Sequence, residues 1–136
     1  MMEQHHLKFG MFCVLMATLG CGWGGDSGRS NVTGTVLFNG SPVDGGTVTF
    51  EPDASKGGAG PQCIAFIENG KYRTKDGLGP VPGPTIVKIE GFGPAPISGN
   101  GNLGFPLPLF PAYTTTIEVS KGASTANFDV PSAKKK

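Results

Sequence analysis

The residues with chemistry to offer are three cysteines, two histidines and a scatter of carboxylates. Cys63 sits between Gln62 and Ile64 in an apolar stretch, with no cation beside it in sequence to favour its thiolate. It is expected to be a small buried hydrophobe and not a reactive thiol. Both histidines, His5 and His6, stand ahead of an apolar run. If that run is removed they go with it, and with them any His general base, Ser-His or Cys-His pair, or His-bound metal. Asp44, Glu51 and Asp53 are close enough in sequence to offer oxygen ligands to a calcium ion. They lack EF-hand spacing, and carboxylates that form turns are the plainer account of them, so no metal is expected. No set of residues reads as catalytic, so an enzyme is not expected and no cofactor is implied.

Cys21 is set apart by its position. The apolar run from Phe9 to Gly20 follows Lys8. At about a dozen residues it falls short of the ~18–20 needed to cross a bilayer, so it reads as the core of a signal peptide. Gly20-Cys21 resembles the cleavage site of bacterial lipoproteins, whose cysteine takes a diacylglycerol and becomes the first residue of the mature chain. Thr18 and Leu19 depart from the usual residues before that cysteine, and Gly20 agrees with them. The alternative is a secreted chain cut near the same place. The stretch Gly22 to Ser30 is rich in Gly and Ser, a composition that makes a flexible tether. The organisation expected is a signal peptide over 1–20, a lipidated tether over 21–30, one domain over 31–131 and a basic tail over 132–136.

Composition narrows the partners. The net charge is +1, and Lys134, Lys135 and Lys136 supply much of the positive side, so the folded part is slightly acidic. No basic face suited to a phosphate backbone is expected, and nucleic acid is excluded as a partner. With Cys13 removed and Cys21 lipidated, Cys63 has no disulfide partner.

The elements that carry these residues read as strands. The chain has 23 Gly and 12 Pro, but they cluster between segments rich in Val, Ile, Phe and Thr, which is punctuation and not low complexity. Val32, Gly34, Val36 and Phe38 alternate with polar residues, and Asn39-Gly40 makes a tight turn. Thr47 to Phe50 alternates again. Cys63 to Ile67 is apolar at every position and is expected to be a central strand buried on both faces. Asn69-Gly70 turns the chain back through Lys71 to Thr74. Val87 and Ile89 should face inward with Lys88 and Glu90 outward, and Ile117, Val119, Phe128 and Val130 should join the core. After the apolar run, no segment offers a helical stripe. About seven short strands separated by turn signals predict an all-β, antiparallel β-sandwich.

The stretch Val32-Thr-Gly-Thr-Val-Leu-Phe-Asn-Gly-Ser-Pro-Val-Asp-Gly-Gly-Thr-Val-Thr-Phe50 resembles the opening of carboxypeptidase-regulatory-like domains. These are transthyretin-like Greek-key sandwiches, and the stretch also resembles the small lipoproteins of this type abundant in planctomycete bacteria. Asn69-Gly70-Lys71-Tyr72, Pro82-Gly83 with Val87 and Ile89, Pro111-Ala112-Tyr113 and Phe128-Asp129-Val130 follow the same pattern. Thr85 stands where an aromatic is usual. The resemblance implies a fold and an envelope address, lipid-anchored and facing the periplasm or exterior; it implies no activity.

The segment Gly91 to Pro111 has no period and is long for a loop in a compact domain. Phe92, Phe105, Phe110 and Tyr113 in and beside it either lie across an open end of the core or form a partner surface. The partners expected are the membrane, through the lipid, and a cell-wall glycan or another envelope protein. A non-catalytic structural or interaction role is the leading expectation. An extracytoplasmic binding module for a glycan or calcium is the alternative.

Overall fold

The computed structural model describes residues 27–132. The signal peptide, Cys21, Trp23 and the terminal lysines lie outside the described residues. Nine strands follow in chain order: β1 (Asn31–Phe38), β2 (Ser41–Pro42), β3 (Gly45–Pro52), β4 (Cys63–Glu68), β5 (Lys71–Arg73), β6 (Gly83–Phe92), β7 (Tyr113–Val119), β8 (Ala123–Thr125) and β9 (Phe128–Val130). Seven of them run β2-β1-β5-β4-β3-β6-β7 through one continuous, strongly curled sheet with antiparallel pairing.

Both Asn-Gly dipeptides turn the chain as their chemistry dictates. Asn39 and Gly40 have φ of 52° and 76°, and Asn69 and Gly70 have φ of 51° and 76°. Two consecutive positive-φ residues match the twist of flanking strands and close a two-residue hairpin. The first joins β1 to β2 and the second joins β4 to β5. The loop after β3 holds a short 3-10 turn, Ala54–Lys56.

Two strands break the antiparallel rule. β8 and β9 lie parallel to β1, with Val32 opposite Ser124 and Leu37 opposite Asp129. Between them Ala126 and Asn127 step out of register. Ala126 N donates to Thr33 O, and Thr35 N donates to Asn127 Oδ1 at 3.0 Å. The chain passes from β7, at one margin of the sheet, to β8 on β1 within Ser120–Gly122. The two margins therefore meet, and the Ser30 hydroxyl donates to Ser120 O across the join at 2.6 Å.

The inner face holds one core. Val32, Val36, Val48, Phe50, Val87, Ile89, Phe128 and Val130 are all buried, and Ile117 packs against them. Lys88 and Glu90 point outward and pair at 3.2 Å. Tyr72 ties three strands together: its ring stands 6.0 Å from Phe50 and 6.1 Å from Phe128, and its hydroxyl donates to Ala126 O at 2.6 Å.

Burial pushes the Tyr72 phenol well above its ordinary 10.0, and burial raises the Cys63 thiol from 9.0 against a smaller opposing pull from Arg29. Both groups hold their protons more tightly folded than unfolded. Stability is therefore complete below the unfolded values and declines as pH rises through 9.0 and then 10.0. Melting curves should show a flat Tm near neutrality and a falling one on the alkaline side. The alkaline slope should lessen in Tyr72→Phe.

Candidate functional site

β3 separates the candidate calcium ligands. Asp44 precedes the strand and Asp53 follows it. Nine residue steps of extended chain put them about 30 Å apart, too far to share an ion. Asp53 is buried, and its Oδ1 accepts from Ser55 N at 3.0 Å and from Ser55 Oγ at 2.5 Å. It is the cap of the 3-10 turn. Glu51 and Asp44 are exposed. Among the described residues no group of three or more His, Cys, Asp or Glu is placed to hold a metal ion.

The four aromatic candidates divide. Phe110 is buried and its ring lies tilted against Phe38 at 4.9 Å, so it closes one end of the core. Tyr113 is half-buried and packs beside the core. Phe92 is half-buried at the end of β6. Phe105 is 92 % exposed. The segment 93–109 folds back on itself through bridges Phe92 to Pro108 and Ile97 to Leu103. It forms an arm whose base enters the core through Phe110 and whose outer part leaves Ile97, Leu103 and Phe105 exposed.

The expectation that Cys63–Ile67 is buried on both faces is corrected. β4 alternates strictly: Cys63, Ala65 and Ile67 face the core, while Ile64 is 50 % and Phe66 71 % exposed. The cause is that β4 lies in one curled sheet, with a core on one side only. β4 pairs with β3 along its whole length but with β5 at Ile67 and Glu68 alone. Beyond those two residues β4 and β5 diverge, and among the described residues no second layer covers the outer face of β4.

The divergence opens two adjoining grooves that share Phe66 and Arg73. The larger, about 920 Å³, is open, and Thr35, Glu68, Lys71 and Asn127 line it together with Phe66 and Tyr72. The smaller, about 530 Å³, sets Arg29, Arg73 and Lys75 around Ile64, Phe66 and Leu78. Leu78 is 51 % exposed. Arg29 is fixed there by its Nε, which donates to Gly79 O, and its charge reaches the Cys63 thiol. Sequence reading missed this cluster because its cations come from distant positions, and the one sign of it was the uninterrupted apolar run of β4.

No family model matches the chain, and comparison with curated proteins gives no match. Among solved structures, the chain is similar to a 9R-lipoxygenase from Cyanothece, with 13% sequence identity and a TM-score of 0.31. The match covers 76% of this chain and 16% of the lipoxygenase chain, so this chain spans a small part of that protein's length.

Proposed function

We propose that this chain is a non-catalytic, membrane-anchored envelope lipoprotein with an interaction role. Its domain is a transthyretin-like β-sandwich of the carboxypeptidase-regulatory-like type, held outside the cytoplasm by a lipid on Cys21. The carrying observation is the Gly20-Cys21 junction, which follows an apolar run and stands ten residues ahead of the first strand, Asn31–Phe38. The curled all-β sheet and its single core support the sandwich reading. Membrane fractionation tests the anchor: the parent chain should pellet with membranes, and Cys21→Ala should move to the soluble fraction. A variant that stays with the membrane like its parent would rule the lipid out.

The larger groove favours a second reading, an extracytoplasmic glycan-binding module. An exposed aromatic ringed by hydroxyl, amide and charged side chains offers a sugar both a stacking face and hydrogen bonds. Calorimetry with cell-wall glycan fragments decides it, and a flat titration removes it.

A further inference from the structure

We infer that the face built from Ile64, Phe66 and Leu78 with Arg29, Arg73 and Lys75 docks on the anionic headgroup surface of the bilayer to which the chain is anchored. This rests on the lipid-anchor reading of Cys21.

Two properties coincide on this face. Its centre is apolar and uncovered, with three large side chains at least half exposed. Its margin is cationic, and no carboxylate lines the smaller groove. Asp76 pairs with Arg73 at 3.1 Å, but both partners are mostly exposed, so water and salt screen that pair. A bilayer interface takes this combination directly: aromatic and aliphatic side chains enter the headgroup boundary while Lys and Arg meet lipid phosphates.

The tether selects this face over the more apolar arm at 93–109. Arg29 stands both in the groove and where the chain enters the fold. Eight residue steps separate it from Cys21, a reach of at most about 29 Å when fully extended and about 16 Å on average for a flexible coil. The arm leaves from the Phe92 end of β6, whereas the entry point pairs through Asn31 and Gly122 beside the Gly83 end. The nine residue steps of β6 span about 30 Å, roughly twice the average reach of such a tether, so the tether keeps the basic pole nearer the bilayer than the arm's pole.

The test uses the exported chain carrying Cys21→Ala, so that no lipid contributes, and sedimentation with phosphatidylcholine vesicles made with or without phosphatidylglycerol. The chain should bind the anionic vesicles, lose binding as salt is raised, and ignore the neutral ones. Arg73→Gln with Lys75→Gln should weaken partitioning by about thirty-fold, about five-fold for each surface cation. Phe66→Ala with Leu78→Ser should weaken it at unchanged Tm, because exposed side chains carry little of the fold. Replacing Lys134, Lys135 and Lys136 by Gln should leave most of the binding. Equal binding to both vesicles, binding that depends on the terminal lysines alone, or competition by cell-wall glycan fragments would each overturn the proposal. Failure here with Cys21-dependent fractionation intact leaves the anchor standing; vesicle binding with Cys21-independent fractionation refutes the anchor and not the face.

Discussion

Gly34→Ala is expected to destabilise the domain by on the order of 3 kcal/mol or more, the upper range for forcing extra volume into a packed interior. Gly34 lies midway along β1, where the step between β8 and β9 presses inward. A Cβ there would overlap the Ala126 carbonyl oxygen, stand 2.7 Å from the Ala126 carbonyl carbon and 3.0 Å from Tyr72 Cε1. Two of those atoms are backbone, so relief requires the parallel seam to move. Moving it also stretches the hydrogen bond from the Tyr72 hydroxyl to Ala126 O. Urea unfolding should show a lower midpoint. A double-mutant cycle with Tyr72→Phe should come out less than additive, because both changes act on the same carbonyl. A midpoint equal to the parent's would mean that the seam is not seated against Gly34.

Phe50→Ala is expected to cost about 3–5 kcal/mol, the range for removing a buried ring and leaving a cavity. Phe50 is 0% exposed and lies in β3, opposite Cys63 on one side and Val87 on the other. Its ring meets Tyr72 at 6.0 Å, which links β3 to β5 across the interior. A domain of this size is typically stable by about 5–15 kcal/mol, so the variant should melt well below its parent and sit near the limit of folding at growth temperature. Phe66→Ala is the natural control. It removes the same ring from the outer face of the sheet and should leave Tm nearly unchanged.

Much of the fold was legible in the chain because local chemistry decided it. The Asn-Gly pairs at 39–40 and 69–70 can adopt two successive positive φ values, and they turn where expected. Alternation placed Val32, Val36, Val87, Ile89, Val119, Phe128 and Val130 inside, where they are buried. The rest depended on partners far along the chain. Nothing in the period of Ala123–Val130 says that it lies parallel to β1. A five-residue apolar run looks the same whether one face or both are covered, and β4 has one covered. Asp44, Glu51 and Asp53 are neighbours in sequence, yet an extended strand carries the first away from the last. Arg29, Arg73 and Lys75 are dispersed in sequence, yet the split between β4 and β5 gathers them. Position in the sheet, which period cannot report, decided each of these.

The pairing of β8 and β9 with β1 has a bearing on biogenesis. A chain made from its N-terminus delivers β1 almost at once, but the neighbours that complete one edge of β1 emerge some ninety residues later. Contacts so distant in sequence form slowly, because a long loop must close before they reward it. Until Val130 is made, the notch at Gly34 is unfilled and the cylinder of strands has no closing stave. Such a polypeptide stays pliable through synthesis and acquires its rigidity at the end, when the final strand locks the first in place.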